Sequence, residues 1–152
     1  MGSKIFLIAL LVFVFLTTGL FILFKKQPEK KWGRACFKEN CFDVQLAQNG
    51  IERAKGLMSQ KSLGQNEGML FLFDKEAKYS FWMKNTLIPL DIIWINSLGE
   101  VVFIAENSQP CLEGAECLAI NPGALAKYVL EINAGIIEEL GITPGSKLDL
   151  YY

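Results

Sequence analysis

The chain is predicted to be mainly β, a β sandwich or partly closed barrel of about seven to eight short strands with two short α-helices, behind an N-terminal transmembrane helix. Three observations carry this expectation. Short runs rich in aromatic and β-branched residues recur between turn signals. Four cysteines fall into two close pairs, Cys36 with Cys41 and Cys111 with Cys117. Ile5 to Phe24 is a run of twenty residues without a charge.

That apolar run comes first. As a helix it is about 30 Å long, enough to cross the hydrocarbon core of a bilayer. A cleaved signal peptide is the alternative, but the run exceeds the usual apolar core of such peptides and no small-x-small site follows it. Residues 1–26 are therefore expected to anchor the chain, with the membrane as partner through residues 5–24. Residues 27–34 form a charged linker with Pro28, and residues 35–152 one domain. Lys25 and Lys26 at the end of the anchor with Lys30, Lys31 and Arg34 in the linker make this flank basic, which suits anionic lipid head groups. The positive-inside bias places that flank in the cytoplasm. The cysteines argue the opposite, because two local disulfides belong in an oxidising compartment. The expected location is the cell membrane, single-pass, with the C-terminal domain extracytoplasmic.

Composition narrows the chemistry. Beyond Arg34 the chain is net acidic, which argues against nucleic acid as a partner. There is no histidine, so Ser-His-Asp and Cys-His nucleophile activation are excluded. Zinc is the other use for four cysteines, but these spacings, C-x₄-C and C-x₅-C, differ from the usual C-x₂₋₄-C. No metal and no cofactor is assigned.

The elements follow in order. Cys36-Phe37 and Phe42–Ala47 flank Lys38-Glu39-Asn40 as a hairpin whose second strand alternates Phe42, Val44 and Leu46 with Asp43 and Gln45. Asn49, with Glu52 three positions on, starts a short helix ending near Met58. Gly68–Phe73, Tyr79–Thr86, Leu90–Asn96 and Glu100–Glu106 read as strands, the last two joined at Ser97-Leu98-Gly99. Asn107–Gly123, with two prolines and the second cysteine pair, reads as a long loop pinned by Cys111–Cys117. Lys127–Ile132 is a strand, Asn133 caps a helix over Ala134–Leu140, and Gly141 ends it. Thr143-Pro144-Gly145-Ser146 fits a type II turn before a closing strand, Lys147–Tyr152.

Four segments, Glu52–Met58, Gly68–Phe71, Phe81–Asp91 (FWMKNTLIPLD) and Tyr128–Gly135, occur in an order that resembles the DUF192 family, also called UPF0127. The likeness runs from about Phe42 to Leu150. It implies a small mainly β fold, frequently exported or membrane-tethered, and no established reaction. Cys111 and Cys117 match a pair seen in many exported members, whereas Cys36 and Cys41 do not belong to the family pattern. Many members carry an aromatic residue and an Arg after Gly56-Leu57-Met58; here Ser59 and Gln60 stand there.

The candidate site residues are Arg53, Trp82, Lys84, Asn85, Asp91 and Glu131. Lys84, Asn85 and Thr86 end an apolar strand and the chain returns after Pro89 to Asp91, so these polar groups are expected to converge on a ligand. Against this, Asn85 and Thr86 satisfy a tight turn and Lys84 pairs with a nearby acid. Arg53 is suited to a bidentate grip on an anion, or to pairing with an internal acid. Alternation sends Phe81 and Met83 inward and Trp82 outward, where it offers a stacking platform. Met58, Met69, Phe71 and Phe81 are expected in the core.

No catalytic residue is assigned, and the leading expectation is a binding module for a small polar or carbohydrate ligand. One alternative is a glycosidase-type hydrolase using Asp91 and Glu131, which requires the two carboxyls about 5–10 Å apart across one cleft. Another is an accessory subunit of a membrane complex, meeting a membrane protein partner through the apolar helix and the long loop.

Overall fold

The computed structural model describes residues 30–112 and 114–152. The expected anchor over residues 5–24 and most of the linker lie outside these residues. Among the described residues no helix is long and apolar enough to cross a membrane.

Seven strands and two short helices succeed one another: β1 Trp32–Phe37, β2 Asn40–Ala47, α1 Gly50–Lys55, β3 Glu67–Ala77, β4 Leu90–Ile95, β5 Val101–Ser108, β6 Ala126–Asn133, α2 Ile136–Leu140 and β7 Asp149–Tyr151. They form one mixed sheet in the order β5-β4-β6-β3-β2-β1-β7. All neighbours are antiparallel except β2 and β3. A parallel pair cannot be joined by a tight turn, and residues 48–66, including α1, make the crossover.

The sandwich or partly closed barrel expected from the strand count is corrected to a single open sheet. Its two edges are bridged rather than paired: Val101 N–H donates to Ser146 O at 2.9 Å, Gly145 N–H to Val101 O at 2.8 Å and Leu148 N–H to Gly99 O at 2.8 Å. The strand count was readable; the lateral order, set by long-range pairing, was not.

Local chemistry explains most boundaries. In the β1–β2 hairpin Cys36 and Cys41 are directly opposed and disulfide-bonded, and Lys38 takes the positive φ of the turn. β1 begins at Trp32, inside the stretch expected as linker. Thr143–Ser146 closes as expected, with Ser146 N–H donating to Thr143 O and Gly145 at φ 94°.

Two local expectations are overturned. Asn133 does not cap the second helix; its amide donates to Leu63 O and Gly64 O, and Gly135, at φ 92°, occupies the cap of α2. Tyr79–Thr86 is not a strand, and meets the rest of the protein through isolated bridges at Phe81 and Lys84. Its partners lie in the disulfide-pinned loop rather than in a strand, and Asn85, at φ 55°, breaks the extended conformation.

Both faces of the sheet are covered, which is why β4 is buried at every position. One face packs Ile93, Ile95, Leu130 and Ile132 against Ile137 of α2, Ile142 and Leu148. The other packs Met69, Phe71, Ile92, Trp94 and Val129 against Leu57, Phe81 and Met83. Each fully buried side chain of this size contributes about 1.5–3 kcal/mol.

Candidate functional site

The helix α1 is set by a capping box. Asn49 Oδ1 accepts from Glu52 N–H, and Glu52 Oε2 accepts from the N–H groups of Asn49 and Gln48, which holds the Glu52 carboxyl below its ordinary pKa. Arg53 then reaches out of the helix. Its Nη1 donates to Gln48 O and to Leu72 O of β3, both at 2.8 Å, and its guanidinium lies 5.0 Å over the Phe73 ring. Arg53 thus fastens α1 to the sheet through carbonyls instead of an internal acid. Gly56 ends the helix at φ 48° and turns the chain inward to Leu57.

The opposite wall comes from residues 81–86. Phe81 exchanges two backbone hydrogen bonds with Ile120, Asn85 N–H donates to Cys111 O, and Cys111 N–H to Met83 O. The Cys111–Cys117 disulfide therefore closes the loop against which this irregular segment is laid. The expected alternation holds without a strand. Met83 is buried, Phe81 packs edge-on against Phe71 and Trp94 at centroid distances of 4.8 and 5.6 Å, and Trp82 is 48% exposed. Lys84 Nζ stands 5.3 Å over the Trp82 ring, a cation–π contact at the surface.

Between these walls lies a small open pocket lined by Arg53, Lys55, Gly56, Leu57, Met58, Phe71, Phe81, Trp82, Thr86 and Glu131. About 30 Å³ is open to a water-sized group, room for little more than one hydroxyl or ammonium. A Cβ at Gly56 would lie 3.3 Å from Phe71 Cζ and 3.9 Å from Glu131 Oε2, so the glycine keeps the entrance clear. Glu131, from β6, is 5% exposed and forms no ion pair among the described residues; no side-chain oxygen there is both fully buried and without a partner, so its carboxyl reaches the pocket's opening rather than being sealed in. Burial alone pushes its carboxyl up to about 8, so it is mainly protonated at neutral pH.

Asp91 is placed differently. It is 1% exposed, and both oxygens are engaged: Oδ1 accepts from Asn107 N–H and Oδ2 from Ile137 N–H, each at 2.8 Å. The register pairs Asp91 with Ile132 and Ile92 with Glu131, and successive residues of a strand face opposite ways. Asp91 and Glu131 therefore belong to opposite faces of the sheet, and the expected glycosidase-type pair across one cleft is overturned.

Of the six candidates, Arg53, Trp82 and Glu131 meet at one pocket and Lys84 flanks it. Asn85 serves its turn, accepting from Ser59 N–H through its carbonyl. Met58, Phe71 and Phe81, expected as core, also line the opening, and Gly56 and Thr86, which lie within the family-like segments, were not singled out as site residues.

Comparison with known proteins agrees with this fold. A crystal structure of a protein of unknown function from Novosphingobium aromaticivorans DSM 12444 is 36% identical with a TM-score of 0.69, over 79% of this chain and 84% of that one. A crystal structure described as a putative transcription regulator from Sinorhizobium meliloti 1021 is 34% identical with a TM-score of 0.70, over 80% of this chain and 94% of that one. No curated protein matches the chain at a significant level. The model of the family described as DUF192, uncharacterized ACR, COG1430, matches residues 34–150, and the chain belongs to that family.

Proposed function

We propose that this chain is a membrane-tethered, extracytoplasmic binding module whose pocket at Glu131 holds one polar group of a small or carbohydrate ligand, with the remainder lying on Trp82. One observation carries this reading: a carboxyl that is 5% exposed, with no ion-pair partner among the described residues, opens onto a pocket. Burial takes most of this carboxyl out of water, and a ligand that hydrogen-bonds to it offsets part of that desolvation. Trp82 beside it supplies the flat apolar surface on which sugar rings stack. The tether is the apolar run Ile5–Phe24, and the two disulfides suit an oxidising compartment.

A second reading, an accessory subunit of a membrane complex, draws on the loop after β5. Leu112, Leu118 and Leu125 are all exposed there, and Leu87 nearby in sequence to Trp82 is exposed too. Cross-linking from Leu118 to a single membrane protein, with Trp82 variants unaffected, would favour the subunit.

The binding reading is tested by titrating the full chain, in detergent and with Trp32→Phe to remove the second exposed indole, with a panel of soluble mono- and oligosaccharides. A saturable change in tryptophan emission that Trp82→Ala abolishes is expected. Absence of any response up to the solubility of every sugar removes the carbohydrate reading.

A further inference from the structure

The chemistry of the pocket goes beyond polarity alone. The pocket is lined by Glu131, by Phe71, Phe81 and Trp82 and by Met58, and its volume admits one small head group. The cations around it are occupied or outside. Arg53 is committed to Gln48 O, Leu72 O and the Phe73 ring, Lys84 to the Trp82 ring, and Lys55 is exposed at the rim.

We propose that the group received by the Glu131 pocket is a single protonated primary amine on an otherwise neutral small molecule. The inference rests on the pocket being a binding site. An ammonium brings three donors where a hydroxyl brings one, so it can serve both free oxygens of Glu131 at once. It also brings a positive charge to a carboxyl beside which the two lining cations are directed elsewhere, Arg53 to Gln48 O, Leu72 O and the Phe73 ring and Lys55 to the exposed rim. A trimethylammonium is too large for the space. A polyamine places its further charges beside Arg53 and Lys55 at the rim, which repel them.

Binding has a proton balance. The Glu131 carboxylic acid gives up its proton to solvent, and the resulting carboxylate pairs with the incoming ammonium, which keeps its own three. Burial favours the protonated acid in the free protein, in keeping with this release.

Isothermal titration of the full chain in detergent at pH 7 tests the idea, using ethanolamine against ethylene glycol and glucosamine against glucose, each in two buffers of different ionisation enthalpy. The amine of each pair should bind at least tenfold more tightly than its hydroxyl counterpart. The ethanolamine heat should differ between buffers by an amount corresponding to nearly one proton released. Glu131→Gln, similar in size but unable to charge, should lose the amine preference and the buffer dependence together, and the proton release is readable on the unaltered chain should that variant fold poorly. Equal binding of glucose and glucosamine without proton release overturns the amine while leaving the pocket as a sugar site. Spermidine binding more tightly than ethanolamine overturns the single-charge restriction, and no heat from any of these probes overturns both the amine and the pocket.

Discussion

Asp91 and Glu131 stand on neighbouring strands, β4 and β6, one residue out of register, and both are buried. Beneath α2, Asp91 uses each oxygen to hold a backbone N–H, one at the end of β5 and one in the first turn of the helix. On the other face, beside α1 and residues 81–86, Glu131 forms no ion pair among the described residues and faces the pocket. A carboxyl of the first kind is part of the framework, since its removal orphans two donors. One of the second kind costs stability and is explained by what it meets from outside. The same residue chemistry, on strands that touch, therefore serves different ends because the covering layers differ.

The largest expected effect falls on the framework side. Asp91→Ala should destabilise by about 2–4 kcal/mol, because the buried N–H of Ile137 and the part-buried N–H of Asn107 lose their acceptor, measured as a lower midpoint in urea. A loss under about 1 kcal/mol would remove the distinction between the two acids.

Glu131 predicts the opposite sign. Its carboxyl stands near 8 in the folded chain against an ordinary 4.5, so the folded state holds the proton more tightly. Stability is then fullest below about pH 4.5 for this group and declines as pH rises through 8. Glu131→Gln should flatten that decline and stabilise the chain at pH 8.5 by on the order of 3 kcal/mol. Thermal unfolding from pH 5 to 8.5 reads the difference, and parallel curves for the two proteins would show that burial does not raise the Glu131 pKa.

The walls of the pocket sharpen the comparison further. Replacing Cys111 and Cys117 by Ser should cost about 2 kcal/mol by the loop-closure relation, and should loosen Phe81 and Met83 while sparing α2. Hydrogen exchange at the amides of Phe81 and Asn85 should rise more than at Ile137. Asn49→Ala removes one acceptor of the capping box and should cost about 1 kcal/mol, with the added exchange confined to α1. Equal loss of protection at α2 in either variant would mean that the two faces are not independently supported.

Much of the architecture was legible in the residues. The capping box of Asn49 and Glu52, the turn at Pro144-Gly145, the inward Met83 and outward Trp82, and the two cysteine pairs all depend on neighbours within about six positions. Three expectations failed where distant residues compete for the same groups. Asn133 was drawn to the Leu63 and Gly64 carbonyls instead of its helix, and Tyr79–Thr86 found a loop for its partner. Asp91 and Glu131, both recognisable as acids within strands, were separated by the β4–β6 register.

The sequence by itself determined the family, most of the strands, the Asn49 capping box, the turn at Pro144-Gly145 and the presence of an apolar segment, because periodicity and spacing act along the chain. The tertiary structure alone decided that the sheet stays open, that its two buried acids look away from one another, and that Gly56 and Phe81 frame the pocket over Glu131. Strand order and register arise from pairing between residues far apart in the chain, and a shift of one residue moves a side chain to the other face.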